Sequence, residues 1–364
     1  MSEKRAPLIG FLVVFIVLGI LWIWYPFGTP GRDHIPLTTI YPLTENARET
    51  QGIYALVYWI TLAVFLGVEG LLVYALFRFR RRGDETAPPE QTHGHTTLEV
   101  GWTLATVLLV LVMYVPSCQA IRFHQGKPPS ANPLIIDVTG RQWFWEFYYP
   151  EFDLTTANEI VVPQGRTVLF NVTSTDVIHS LWFPAMGGKR DAVPGRTQPL
   201  WFTPTELGNY HGQCTEYCGS SHALMQMDIT VRPQAEFDAW IAGQKAPADP
   251  ASMAGFGMFA ASGCIACHMT MQNDKTVLHM NGPNLMKVAS RKRIAAGILE
   301  NTPENLKLWI HDPQHVKPDA KMNVPAMQCT GPGQPDPCCR DVQIGNCLAP
   351  ETVDQLVSYL EMLK

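Results

Sequence analysis

Cys214-Thr-Glu-Tyr-Cys218-Gly-Ser-Ser-His222-Ala-Leu-Met225 is the stretch on which the reading of this chain turns. It packs two thiols, an imidazole and a thioether into 12 residues, and His179 stands 35 residues upstream. These are soft to intermediate ligands, suited to copper much better than to magnesium or calcium. Cysteines four apart on one loop can aim both sulfurs at one point. A Cys214–Cys218 disulfide on an oxidising outer face is one competing reading. Zinc held by Cys2His2 is another, but it would leave Met225 idle. A single blue-copper centre needs only one of the two cysteines, whereas two metals sharing bridging thiolates use both.

Around that loop the sequence reads as short strands. Pro133–Gly140, Gln142–Tyr149, Glu159–Val162, Thr167–Ser174, Thr197–Thr203 and Ala223–Val231 are β-branched or aromatic, with partial alternation. Pro163-Gln-Gly165, Pro184–Gly188 and Pro194-Gly195 punctuate them as turns. So many short strands within about 100 residues indicate a β-sandwich or barrel, which can bring His179 and the 214–225 loop together at one end. Gly243–Pro250 mixes alanine, proline and charge and reads as a linker. Beyond it the pattern turns helical. Thr302-Pro-Glu opens a helix to His311 with a cap and a proline at its first position. Val353, Leu356, Tyr359, Leu360 and Leu363 recur at helical spacing over Pro350–Leu363.

The chain has 364 residues, of which 46% are hydrophobic and 16% charged. Soluble domains carry about 25% charge, so this composition points to membrane content. A net charge of −5 gives no electrostatic footprint for nucleic acid. Ala6–Phe27 is uncharged over 22 residues, Gly52–Phe77 is apolar except for Glu69, and Val100–Ser117 is uncharged over 18. Each is near the roughly 20 residues that a helix needs to cross a bilayer. Lys4 and Arg5 before the first run, and Arg78, Arg80, Arg81 and Arg82 after the second, place both clusters in the cytoplasm. Everything after Ala120 then lies on the outer face, the periplasmic side of a bacterial inner membrane. The first run reads as a retained helix, since no Ala-x-Ala-like cleavage site follows it; a secretory signal is the competing reading. Glu69 inside a run is costly, and is either functional or a neutral carboxyl packed on another subunit.

His179-Ser-Leu-Trp and Cys214-x-Glu-x-Cys218-x-x-x-His222-x-x-Met225 resemble the binuclear copper A motif of cytochrome c oxidase subunit II. Gln142-Trp143-Phe144-Trp145, Lys189-Arg-Asp191-Ala-Val-Pro194-Gly195-Arg196 and the apolar runs at 52–77 and 100–117 match the same family, so the resemblance covers roughly residues 45–232. It implies a transmembrane helical hairpin over 45–125 and an all-β cupredoxin domain over 126–240. It implies that Cys214 and Cys218 bridge two coppers, that His179 and His222 each bind one, and that Met225 and the Glu216 backbone carbonyl complete the shell. It further implies that the Glu216 carboxylate binds a magnesium ion shared with subunit I, and that Trp143 is the surface residue through which electrons enter. Through Leu98-Glu99-Val-Gly-Trp102, Glu99 matches the entrance of the K proton pathway. The plainer readings are core packing for Trp143 and Trp145, and a solvated helix-end carboxylate for Glu99.

Cys264-Ile-Ala-Cys267-His268 is the c-type haem attachment signature, in which two thiols add to the haem vinyl groups and the histidine reaches the iron. A lone C-x-x-C could be a redox disulfide; the following histidine, the helical context and the outer location favour haem. Gly282-Pro283-Asn284-Leu285 resembles the cytochrome c segment whose proline packs near that histidine. A methionine as sixth ligand raises the potential and closes the site. Met322 and Met327 are the candidates. Lys317-Pro-Asp-Ala-Lys-Met322 fits the cytochrome c ligand turn, although Asn323 replaces the family's proline, and Met322 is the choice. Cys329, Cys338, Cys339 and Cys347 fall in a Gly/Pro-rich insertion at 328–348. Two disulfides are expected there, 329–338 with 339–347 or 329–339 with 338–347; a third metal site is the runner-up. Cys118 reads as a buried free thiol.

The expectation is a membrane-anchored multidomain protein. Residues 1–30 form a membrane helix or signal, giving a two- or three-helix transmembrane anchor with 45–125. The cupredoxin domain follows, then a linker at 241–251 and an all-α, class I-like cytochrome c domain at 252–364. Function follows as the electron-entry subunit of a haem–copper oxidase. A donor, either a cytochrome c or a respiratory complex, passes electrons through haem c and copper A to subunit I, where oxygen is reduced and protons are pumped. Subunit III is a further partner. One rival is the copper A subunit of a nitric oxide reductase. Nitrous oxide reductase would need a histidine-rich propeller for which the chain has no room. A membrane-anchored copper chaperone or redox sensor has no use for a haem.

Overall fold

Two long apolar helices lead the chain in the computed structural model, which describes residues 39–80, 91, 93–246, 253–270, 282–322 and 348–364. Helix α1 (Glu45–Arg78) has 34 residues and α2 (Thr96–His124) has 29, with mean hydropathies of 2.2 and 2.0 over their most apolar windows. At 1.5 Å per residue they are roughly 50 and 43 Å long, more than the ~30 Å of a bilayer core. They are apolar all round, so no face is reserved for a soluble core; Trp59, Leu71 and Phe77 are 60–70% exposed in the isolated chain. A 3.2 Å contact between Thr50 Oγ1 and His124 Nε2 ties the start of α1 to the end of α2, which makes the pair antiparallel.

Glu69 faces outward on this hairpin. Glu99 sits in the first turn of α2, where its carboxylate accepts the His95 N–H at 3.1 Å and His95 Nδ1 accepts the Leu98 N–H at 3.3 Å. This reciprocal cap satisfies donors that a helix start otherwise leaves open. Cys118 is half-buried rather than buried, because α2 is covered by little but α1, and Ala120 is its one buried residue. The first apolar run, Lys4, Arg5, Arg81 and Arg82 lie outside the described residues.

The hairpin hands over to a sandwich of two five-stranded sheets. Strands β1 (Leu134–Arg141), β2 (Phe144–Tyr149), β3 (Leu154–Ala157), β4 (Glu159–Pro163) and β5 (Val168–Ser174) are followed by β6 (His179–Trp182), β7 (Arg190–Ala192), β8 (Gln198–Phe202), β9 (Gly208–Cys214) and β10 (Gln226–Arg232). One sheet has the order β3-β2-β1-β5-β8 and the other β4-β10-β9-β6-β7. The β1–β5 and β4–β10 pairs are parallel and the rest antiparallel. Alternate residues of β5 and β10 turn inward, as a half-buried strand requires. Trp145, Phe147 and Tyr149 of β2 fill the core completely, and the Tyr149 hydroxyl is satisfied by both backbone groups of Val161. Leu43 N donates to the Ala185 carbonyl at 2.9 Å and Trp201 Nε1 to that of Gly126 at 2.9 Å, so both ends of the anchor are stitched to the sandwich.

Helix α3 (Gln234–Lys245) closes the sandwich and runs through the first part of the expected 241–251 linker. The cause is an apolar stripe of Phe237, Trp240 and Ile241 at helical spacing, with Phe237 and Ile241 buried and Trp240 lying 5.8 Å from Tyr149. The C-terminal unit carries α4 (Met253–Ala261), β11 (Arg293–Ile294), β12 (Leu299–Glu300), α5 (Pro303–His311), α6 (Pro313–Val316) and α7 (Pro350–Glu361). It is mainly helical rather than all-α. Ala295, Ala296 and Gly297 take φ of 53°, 62° and 82°, which folds β11 and β12 into a small hairpin. Thr302 caps α5 through the Asn305 N–H, as its sequence indicated. Phe259, Leu306, Ile310, Val353, Leu356 and Leu360 form the core of this unit. Met327 and all four cysteines of the 328–348 insertion lie outside the described residues.

Candidate metal centre and the adjoining cavity

Three neighbouring strands converge on the cysteine loop. His179 begins β6, Cys214 ends β9, and Met225 immediately precedes β10. The register sets Leu181 against Cys214 and Gln213 against Gln226, while Cys214 N donates to the Met225 carbonyl at 3.0 Å and Thr215 N to that of Ser180 at 3.1 Å. The loop is thereby pinned at both ends to a rigid sheet. Cys214 Sγ and Cys218 Sγ lie 3.8 Å apart, almost twice a disulfide bond length. His179 Nδ1 is 4.0 Å from Cys214 Sγ, His222 Nδ1 is 3.6 Å from Cys218 Sγ, and Met225 Sδ is 4.0 Å from Cys218 Sγ. The Glu216 carbonyl oxygen lies 3.3 Å from Cys214 Sγ. The ligand atoms of His179, Cys214 and Cys218 all fall within 4.8 Å of one another. Glu216 is exposed, although its carbonyl faces Cys214.

The electrostatics of the cluster fit a soft cation. The hydrogen bond from Cys218 pulls the Cys214 thiol down to about 4, against the opposing effect of burial and with help from His179. The same pairing drives the Cys218 thiol up. The first proton therefore leaves easily and the second does not, as coupled sites require. A bound cation supplies what the second ionisation lacks, since thiolate ligands must be deprotonated.

Asp176 escaped the reading of the sequence. Its carboxylate accepts from His179 Nε2 at 2.8 Å, from Gln142 N at 2.6 Å and from Val177 N at 2.7 Å. Burial opposes its ionisation, yet these bonds hold it at about 2, and they raise the basicity of His179. The arrangement fixes the tautomer and turns Nδ1 toward the sulfurs. A carboxylate three residues before a candidate ligand was the available signal. Asp176→Asn should weaken copper retention about 10- to 100-fold in chelator competition, with the fold intact by circular dichroism. Packing adds to this positioning. Trp145 meets the His179 ring edge-on at 5.9 Å, and a Cβ at Gly140 would come within 2.8 Å of that ring.

Beside the centre lies a mostly apolar cavity, part of it open to solvent. Cys264, Cys267, His268, Pro283, Leu306, Trp309 and Met322 line it from the C-terminal unit, and Gln142, Trp143, Phe144 and Ala157 from the sandwich. Cys264 and Cys267 are free thiols. His268 Nδ1 bonds the Pro283 carbonyl at 2.8 Å, which leaves Nε2 for the cavity. Burial lowers the basicity of His268, against the pull of that carbonyl. Gly282 makes the contact possible, because a Cβ there would meet His268 at 2.7 Å. A mostly apolar pocket with two thiols, a tautomer-fixed imidazole and a thioether fits a covalently held haem. Arg291, Arg293 and Lys321 add positive charge to its lining, while burial pulls the Lys317 ammonium beside them down to about 7. Trp143 is 7% exposed, not a surface residue as expected, because it packs into the core of the sandwich; its Nε1 donates to the Cys218 carbonyl at 3.0 Å.

A sandwich with a Cys2His2Met cluster at one end, hung from two membrane-length helices, defines a membrane-anchored, metal-binding β protein. Residues 153–232 match the cytochrome c oxidase subunit II periplasmic domain, and residues 43–120 match its transmembrane domain. Cytochrome c oxidase subunit 2 of Alkalihalophilus pseudofirmus is 32% identical over 314 residues, covering 83% of this chain and 84% of that protein. The Bacillus sp. (strain PS3) protein of the same name is 36% identical, over 67% of this chain and 73% of its own. That of Bacillus subtilis is 31% identical, over 79% and 85%. The chain belongs to the cytochrome c oxidase subunit 2 family. It is therefore part of a membrane oxidoreductase complex that includes subunit I, and its β domain is extracellular.

Proposed function

We propose that this chain is the electron-entry subunit of a haem–copper oxidase in a bacterial inner membrane, carrying both a binuclear copper A centre and one haem c. In this reading Cys214 and Cys218 bridge two coppers, His179 and His222 bind one each, and Met225 and the Glu216 carbonyl complete the shell. Cys264 and Cys267 attach the haem, and His268 and Met322 ligate its iron. When bound, the two groups supply one-electron chemistry at nearly fixed geometry. The chain's own residues hold those geometries, keep water from the sulfurs and bring the two sites together.

The observation that carries this reading is the double placement of Trp143. Its indole touches the carbonyl of Cys218, and its ring lines the same cavity as His268 and Met322. An electron leaving the cavity meets a conjugated side chain that is already bonded to the copper loop. Subunit I then receives the electron for oxygen reduction coupled to proton pumping, with subunit III alongside, and a cytochrome c or respiratory complex is the donor. Glu216 contributes a carboxylate to a magnesium ion at the subunit I face, and Glu99 admits protons from the cytoplasmic side of α2. The test is stoichiometric: the purified protein should carry copper and covalent haem in a 2:1 ratio, with a mixed-valence near-infrared band. A haem-free chain with a single exchangeable copper would favour a chaperone and sink the reading.

Met322 can be tested separately. Met322→Ala should leave the haem attached but without its thioether, so the ferric sulfur-to-iron band near ~695 nm disappears and the potential falls by about a tenth or more of the ~0.8 V that axial ligands span. A variant that keeps both band and potential would move the assignment to Met327.

A further inference from the structure

Contacts between the sandwich and the C-terminal unit are polar, specific and concentrated on the two sites. Lys317 is 4% exposed and donates its ammonium to the Trp143 carbonyl. Lys321 Nζ reaches Gln142 Oε1 at 2.9 Å. Within the copper loop, Ser220 bonds the Asp319 carboxylate and Ser221 the Pro318 carbonyl. A second set joins β4 and β10 to residues 292–296. Glu159 accepts the N–H groups of both Lys292 and Arg293 at 3.0 Å, Gln226 N donates to the Ala296 carbonyl at 3.0 Å, and Arg293 lies 4.0 Å from Asp228. At the same interface, Phe144, Ala157 and Ala296 form a small buried apolar cluster.

We propose that the Lys317–Met322 segment is a clasp that keeps the C-terminal unit permanently docked over Trp143, with Lys317 as the positioning residue for transfer between the two sites. The same short segment carries Met322, so the clasp fixes the haem ligand and the copper loop relative to each other. Docked in this way, the unit occupies the face through which a separate donor protein would otherwise reach Trp143. External donors must therefore deliver to the cavity of the C-terminal unit. A tether alone would give an effective concentration of about mM and a cycle of docking and release. Eight polar contacts together with an apolar cluster remove that cycle.

This inference rests on the proposed haem and copper assignment, and its test separates the two. In the assembled oxidase, haem c is reduced by a light pulse, and its reoxidation is followed together with the near-infrared copper band. The wild-type rate should be unchanged from low to high salt and from water to glycerol mixtures. Lys317→Leu should keep both spectra but slow the transfer about tenfold and make it viscosity-dependent, the scale of losing one hydrogen bond to a charged donor. A viscosity-dependent wild-type rate, or a Lys317→Leu variant as fast as wild type, overturns the clasp. Hydrogen exchange gives a readout independent of activity. The Gln226, Lys292 and Arg293 amides, which donate across the interface, should exchange as slowly as the amides of the sandwich core. Fast exchange at these three amides overturns permanent docking even where both cofactors are present. Absence of the cofactors would instead sink the assignment on which it rests.

Discussion

Cys214→Ser and Cys218→Ser should each strip the β domain of copper while leaving haem attached to the C-terminal unit. Both sulfurs are buried, at 4% and 3% exposure, and they stand 3.8 Å apart between two imidazoles. Serine is close in size, so the strands that hold the loop should still form. A hydroxyl, however, is a poor copper ligand and does not ionise near neutral pH as the paired thiol does. With one bridge gone, the remaining cysteine cannot link two metals. Copper per chain should fall from two to about zero after dialysis, and the near-infrared band should vanish. Covalent haem should stay at the wild-type level, because Cys264 packs against a different core from the one that holds Cys214 and Cys218. Two retained coppers with an unchanged band in either variant would refute the bridging assignment.

What the sequence made legible was whatever leaves a local signature. The helical hairpin follows from two uninterrupted apolar runs. Strands β1, β2, β4, β5, β8 and β10 follow from β-branched and aromatic alternation. Strands β3, β6, β7 and β9 escaped notice because each is short or polar: Leu154–Ala157 has four residues, Arg190–Ala192 three, and Gly208–Cys214 reads as loop chemistry until pairing with β6 and β10 makes it a strand. The candidate ligands were legible because metal-ligand spacing is written in sequence. Asp176 was not, since its role depends on the three donors that fold around it. The exposure of Trp143 was misjudged for a similar reason. Trp143 belongs to the buried core of the sandwich, and Lys317 bonds its carbonyl from 174 positions away, a contact no local pattern announces. Helix α3 overran the expected linker because the alanine, proline and charge that suggested flexibility begin only where its buried stripe ends.

Removing the haem attachment should cost turnover selectively, according to the reductant supplied. Cys264→Ser combined with Cys267→Ser leaves His268 and Met322 in place but takes away both covalent anchors. Haem should then be lost during maturation or purification, and the apolar cavity should be left without its filling. The C-terminal unit should become easier to cleave with protease, because Leu306, Trp309 and Met322 lose a packing partner. Copper should remain, since none of its candidate ligands comes from this unit. Turnover driven by a protein donor should fall roughly 10²- to 10³-fold at μM donor, because a fused haem acts at an effective concentration of about mM. A small diffusible reductant should still drive oxygen reduction, since it can reach the copper loop without docking. That split between the two reductants locates the defect at electron entry rather than in subunit I. If the haem-free variant turns over with its protein donor at the wild-type rate, the C-terminal unit is not the route by which electrons arrive.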